Sequence, residues 1–147
     1  MITGRVNQDI EAVVVSRIGN SVASPLDVEF VIDTGFNDYV TLTPSLVAAL
    51  QLQYQYTSEA VLANGAIVSI NGYQAEIEWD GRERTIPVYE LDSGPSIGMA
   101  LLEGHRLCMD VVDDDIWDNS DVSMNDVSND GSAPRSRSIS ASALTLA

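Results

Sequence analysis

Apolar and polar residues alternate with a period of two along much of the chain up to Val112, and this pattern predicts β-strands. The clearest strand runs from Leu26 to Ile32, where Val28 and Phe30 lie on a wholly apolar face. It stops abruptly at Asp33, so a buried strand delivers a carboxylate into a tight turn. This strand end is the first candidate for chemistry.

Six further segments are rich in β-branched or alternating residues and are predicted to be strands. They are Ile10 to Ser16, Tyr39 to Leu42, Ala66 to Ile70, Tyr73 to Trp79, Arg82 to Tyr89 and Leu107 to Val112. A short helix is predicted after Thr43, because Thr43 can cap it and Pro44 suits its first position. One or two helical turns are predicted after Gly98, closed by Gly104.

Three dipeptides predict hairpin turns, because their residues accept the positive φ angles that two-residue turns require. They are Asn64-Gly65, Asn71-Gly72 and Asp80-Gly81. The middle of the chain is therefore predicted to be a β-meander.

The 147 residues are sufficient for one domain. We predict a folded domain over residues 1–112 and an acidic, Ser-rich disordered tail over residues 113–147. The net charge is −15. Because phosphate contacts need a basic face, nucleic acid is not expected as a partner.

Neither a membrane partner nor export is expected from the apolar pattern. No apolar run approaches the roughly 20 residues that span a bilayer, and the N-terminus lacks the basic and apolar blocks of a signal peptide. Cys108 is the single cysteine, which excludes an internal disulfide and makes a cytoplasmic location the default expectation.

No metal site or cofactor is predicted. The acidic run at residues 113–115 lacks the spacing, glycine and terminal Glu of a calcium loop, so we interpret it as a solvated segment. His105 is the sole histidine, which gives little support to a zinc site or a Cys-His nucleophile. We expect His105 in a loop or at the surface and Cys108 in the core.

The order of the elements resembles that of the retropepsin-like (clan AA) aspartic proteases, in particular the stand-alone bacterial type. Two hydrophobic residues precede Asp33-Thr34-Gly35, and a capped helix, hairpins and the apolar-Gly pair Ile97-Gly98 follow. The resemblance covers about Ile10 to Val112. It implies an all-β half-barrel with one or two short helices, forming a two-fold homodimer.

The resemblance also implies roles for individual residues. Asp33 would carry the proton transfers, Thr34 would bond across the dimer axis, and Gly35 would keep the loop close to its mate. Residues Ala63, Asn64 and Gly65 would form the flap, the hairpin tip that covers the substrate. Ile97 and Gly98 would cross behind the catalytic loop.

Peptide-bond hydrolysis by this chemistry needs one base and one acid. Two adjacent carboxylates share a proton and so supply both roles. The chain has one Asp-Thr-Gly sequence, so a homodimer would supply the second carboxylate. The expected function is an aspartic endopeptidase that acts on peptides or unfolded proteins without a cofactor.

Two positions differ from the retroviral pattern. Phe36 stands where those members commonly have a small residue, and it either narrows the substrate cleft or packs beneath it. Met99 stands where they often have an Arg that braces the dimer. A catalytically inactive dimer that binds peptides or a partner protein in the same groove is therefore the alternative hypothesis.

Overall fold

A computed structural model describes residues 1–61, 65–111 and 143–146, which are mostly β-structure. The strands are β1 (Ile2–Val6), β2 (Ala12–Gly19), β3 (Leu26–Ile32), β4 (Val40–Leu42), β5 (Gln53–Val61), β6 (Ile67–Trp79), β7 (Arg82–Glu90), β8 (Ser96–Ile97), β9 (Leu107–Met109) and β10 (Ala143–Leu146). The helices are α1 (Pro44–Ala49) and α2 (Met99–Leu102). The all-β prediction with short helices is confirmed at this level.

Six strands close into a barrel in the order β2, β3, β8, β4, β7 and β6. The barrel closes where β6 pairs with β2, through Ile18 opposite Ile77 and Gly19 opposite Glu76. Two of the pairings, β3 with β8 and β4 with β7, are parallel. Closure removes free edges from these six strands, whose unpaired backbone groups would otherwise need partners.

The core fills the barrel with the apolar faces of its strands. Phe30, Leu42, Ile77, Val88 and Ile97 are all fully buried, and they come from five different barrel strands. Buried residues alternate with more exposed ones along β3, β6 and β7, as the period-two pattern predicts. The strand that carries Asp33 is therefore anchored along its whole inner face.

Four strands extend the sheet beyond the barrel. Strand β5 pairs with β6, whereas β1, β10 and β9 continue outward from β2. Helix α1 begins as predicted, since the Thr43 hydroxyl accepts a hydrogen bond from the Leu46 N–H at 3.4 Å. The predicted turns after Gly98 form α2.

The predicted hairpin turn at Asn71-Gly72 is wrong, because both residues lie inside the continuous strand β6. Gly72 serves a packing purpose there, since a Cβ atom would lie 2.6 Å from Cζ of the Tyr56 ring. The turn at Asp80-Gly81 is confirmed, with positive φ at both residues (51° and 72°). The strand predicted from Ile10 begins at Ala12 instead, because Ile10 has φ of 64° in the preceding turn.

The C-terminal region differs from its prediction where the structure describes it. Residues 143–146 were expected to be disordered, but they form β10, which pairs with β1 and β9. Strand β1 lay outside the predicted strands, and it pairs with β2 as well as with β10. Cys108 was expected in the core but is exposed, because β9 lies outside the barrel. The acidic run at residues 113–115 lies outside the described residues.

Across the described ranges, no helix is long and apolar enough to cross a membrane.

Truncating a side chain at the barrel closure should destabilise the fold strongly. Ile18 is fully buried beside Ile77, so Ile18→Ala should lower the free energy of unfolding by about 2–5 kcal/mol. Val15 on the same strand is 56% exposed, and Val15→Ala should change it by no more than about 0.5 kcal/mol. Urea denaturation of both variants measures the difference, and equal effects would contradict closure at this pairing.

Candidate active site

Asp33 lies directly after β3, at the point where the chain leaves the barrel. Its N–H donates to the carbonyl of Ile97 at 2.9 Å, so the backbone is still held by the neighbouring strand. Its side chain is exposed. The buried strand thus fixes the backbone of Asp33 while its carboxylate remains accessible to a second molecule.

The turn after Asp33 is stabilised by bonds within the loop. Oδ1 of Asp33 accepts a hydrogen bond from the Gly35 N–H at 2.9 Å, and the Phe36 N–H donates to the Asp33 carbonyl at 3.2 Å. A Cβ atom at Gly35 would lie 3.2 Å from Oδ1, closer than ordinary contact. Gly35 therefore allows the tight approach, while Thr34 is exposed at the tip of the loop.

A second segment crosses behind this loop and is bonded to it through the backbone. Three N–H groups of the crossing segment donate to carbonyls of residues 36–39. They are Met99 to Phe36 at 2.8 Å, Gly98 to Tyr39 at 2.9 Å and Ala100 to Asp38 at 3.2 Å. The loop and the crossing segment consequently form one unit, in which Ile97 and Gly98 are both buried.

Gly98 is required for this crossing. A Cβ atom there would lie 2.6 Å from the carbonyl oxygen of Phe36, and it would be closer still to the carbonyl oxygen of Asp38. Backbone atoms held by hydrogen bonds cannot yield as a flexible side chain can. A side chain at residue 98 would therefore separate the two segments.

Phe36 packs beneath the loop. Its half-buried ring lies against Gly98, where an added Cβ atom would be 2.5 Å from Cδ1 of Phe36. The ring also makes an edge-to-face contact with Tyr89, with ring centroids 6.3 Å apart. Of the two alternatives for Phe36, the structure favours packing over narrowing of the cleft.

A cleft of about 510 Å³ opens beside Asp33. Its walls include Val31 and Pro95, together with the carboxylates of Glu11 and Glu29. Arg5 forms an ion pair with Glu29 at 2.7 Å, and the Asn7 amide donates to Glu11 at 2.9 Å. These partners leave a mixed apolar and polar surface next to the exposed carboxylate.

The predicted flap lies only partly within the described residues. Gly65 has a φ of 81°, which is suited to a turn between β5 and β6. Ala63 and Asn64 lie outside the described residues. The two arms of this hairpin pair along their length, from Gln53 opposite Gln74 to Val61 opposite Ile67.

The structure brings Asp33, Gly35, Phe36, Ile97 and Gly98 together. It does not place a second carboxyl group against Asp33, whose carboxylate is bonded only to the Gly35 N–H within the described ranges. In the same ranges, no group of three or more His, Cys, Asp or Glu side chains could hold a metal ion. A dyad therefore requires a second carboxyl group from outside the described residues of this chain.

Sequence reasoning missed Tyr89, which contacts the loop, and the two residues that contact Tyr89 in turn. Tyr89 packs against Phe36, Tyr56 packs against Tyr89, and Gly72 lies on the strand between those of the two tyrosines. The one available signal was the glycine at residue 72, which was interpreted as part of a turn.

Neither a protein-family model nor a curated protein matches this chain.

Substitution of Gly98 should destabilise the site and the fold together. Gly98→Ala forces backbone apart, so we expect a loss of about 3 kcal/mol in the free energy of unfolding. Met99 is the next residue and is 44% exposed, and Met99→Ala should cost about 1 kcal/mol or less. Thermal and urea denaturation compare the two, and a Gly98→Ala protein as stable as Met99→Ala would refute the close crossing.

Proposed function

We propose that this protein is an aspartic endopeptidase, active as a two-fold homodimer in which the Asp33 carboxylates of two copies form the catalytic dyad. The observation that carries this proposal is the exposed Asp33 carboxylate in a loop braced from behind by the close crossing at Gly98. This arrangement resembles the catalytic loop of the retropepsin-like proteases. It holds an acid rigidly at the surface, where another copy can meet it.

The need for two copies follows from the chemistry. A single carboxylate cannot both remove a proton from water and protonate the substrate at the same moment. Two carboxylates a few Å apart cannot both ionise comfortably, so they share one proton. A two-fold axis beside Asp33 would supply this pair from one sequence position.

In the proposed mechanism, a water molecule lies between the two carboxylates. The ionised Asp33 removes a proton from the water while the protonated Asp33 donates its proton to the carbonyl oxygen of the peptide bond. The water oxygen bonds to the carbonyl carbon and forms a tetrahedral diol. The Asp33 that gained the proton from water then donates it to the nitrogen, while the other Asp33 removes a proton from one hydroxyl of the diol. The C–N bond breaks, the carboxylic acid and the amine leave, and the pair again holds one proton. The N–H of Gly35 steadies Oδ1 of Asp33 throughout.

The proposed substrate is a peptide or an unfolded protein in extended form. The cleft beside Asp33 has a volume that accommodates side chains, and its walls combine apolar surface with polar groups. The edge of the β5–β6 hairpin offers backbone groups that can align an extended chain. The single cysteine suits a reducing compartment such as the cytoplasm.

Replacing Asp33 by Asn should abolish cleavage and leave the fold intact. The Asn amide cannot act as a base or share the proton, so kcat/KM on denatured casein should fall at least about 100-fold. Asp27 is an exposed Asp at the other end of the same strand, and Asp27→Asn should retain full activity. Undiminished cleavage by Asp33→Asn would exclude the assigned role.

The active form should have the mass of two chains. Light scattering should show a dimer, and specific activity should fall on dilution as the dimer dissociates. Because each chain has a net charge of −15, raising the salt concentration should strengthen association by screening repulsion. A dimer that cleaves nothing and is insensitive to pepstatin would favour peptide binding without catalysis. A stable monomer that cleaves substrate would contradict the shared dyad.

A further inference from the structure

Three residues lie on one rung across the strands next to the catalytic loop. Tyr56 on β5 is opposite Gly72 on β6, and Gly72 is opposite Tyr89 on β7. The two tyrosine rings meet over the glycine in an edge-to-face contact with centroids 6.3 Å apart. The Tyr56 hydroxyl donates to the Tyr89 hydroxyl at 3.2 Å.

Gly72 makes this contact across a strand possible. A Cβ atom at residue 72 would lie 2.6 Å from Cζ and 2.7 Å from Cε2 of the Tyr56 ring. The ring therefore occupies the space that a side chain would fill. The outer strand β5 is thereby joined to β7 through side chains, in addition to its backbone pairing with β6.

Tyr89 continues this chain of contacts into the loop that carries Asp33. Its ring packs edge-to-face against Phe36 at 6.3 Å between centroids. Phe36 is bonded at both of its backbone groups, since its N–H donates to Asp33 and its carbonyl accepts from Met99. A displacement of the Phe36 ring would therefore be transmitted to the turn at Asp33.

Tyr89 remains a neutral phenol under ordinary assay conditions. Three features of its surroundings raise the pKa of Tyr89 above its usual value. They are the hydrogen bond with Tyr56, partial burial, and the nearby Asp38 carboxylate, which acts both through hydrogen bonding and through its charge. A neutral hydroxyl can both accept from Tyr56 and donate to a neighbouring acceptor. The ring that contacts Phe36 therefore belongs to an uncharged side chain.

We propose that Tyr89 is a positioning residue for Asp33. Tyr89 acts on Asp33 through Phe36, and Tyr89 is itself held by Tyr56 across Gly72. The effect that we expect on the catalytic rate rests on the proposed peptidase function. The structural consequence, ordering of the backbone at residues 33–38, is independent of any activity. The two consequences can therefore be tested separately.

The chain offers a matched pair of variants. Tyr89 and Tyr73 are both half-buried, and both lie on strands of the same sheet. Each has a hydroxyl group that is hydrogen-bonded to a polar partner, and the Tyr73 hydroxyl donates to Glu90 at 2.9 Å. The aromatic partner of Tyr73 is Tyr54, whereas that of Tyr89 on the side of the loop is Phe36. Tyr89→Ala and Tyr73→Ala thus remove similar packing, but only the first removes the support of Phe36.

The first measurement is amide hydrogen exchange of the full chain. Tyr89→Ala should accelerate exchange at residues 33–38 by about tenfold or more relative to Tyr73→Ala, when the two are compared under conditions of equal global stability. Gly72→Ala should accelerate the same amides, because it separates the two rings without altering Tyr89. Exchange at residues 33–38 that is equal in Tyr89→Ala and Tyr73→Ala would overturn the proposal.

The second measurement is steady-state kinetics on a peptide substrate. Misplacement of Asp33 should lower kcat by about tenfold or more in Tyr89→Ala and change KM by less than about threefold. Tyr89→Phe keeps the ring against Phe36 and should recover most of the lost kcat. Equal kcat losses in Tyr89→Ala and Tyr73→Ala would contradict the positioning role. A wild type that cleaves nothing would refute the peptidase function, and hydrogen exchange alone would then decide the role of Tyr89.

Discussion

The close approach of two backbone segments at Gly98 is the constraint on which the candidate site depends. Because residue 98 has no side chain, the crossing segment lies directly against the carbonyls of Phe36 and Asp38 and donates three hydrogen bonds to residues 36–39. Each such bond contributes about 1 kcal/mol in net terms, but together they define the path of the loop. The carboxylate of Asp33 is then presented by a rigid turn.

Barrel closure and loop geometry depend on one another. The crossing segment follows β8, a strand of two residues that lies between β3 and β4. So short a strand holds its place only because Ile97 is fully buried in the barrel and both neighbouring strands pair with it. The same core that stabilises the fold therefore sets where Gly98 crosses, and through it where Asp33 emerges.

The sequence predicted the features that are encoded locally. Period-two patterns located most of the barrel strands, Thr43-Pro44 located α1, and Asp80-Gly81 located a turn through its φ preferences. Gly72 was misjudged, because a glycine within a turn-like dipeptide has the same local signature whether it turns the chain or accommodates a ring from a neighbouring strand. The contact between Tyr56 and Tyr89 joins residues 33 positions apart, and β10 pairs with strands distant in sequence. No local pattern specifies such partners.

The groups that stabilise the loop differ from the group that would carry the proposed chemistry. Gly98, Ile97 and the backbone carbonyls hold the loop in place. The Asp33 carboxylate is exposed, and among the described residues it accepts one hydrogen bond, from its near neighbour Gly35. A turn of this kind requires only a hydrogen-bond acceptor at that position, and Asn or Ser would supply one as well. Burial and hydrogen bonding therefore account for the shape of the loop but do not call for a carboxyl group at its exposed end, and a second copy of the same acid would give that group a role.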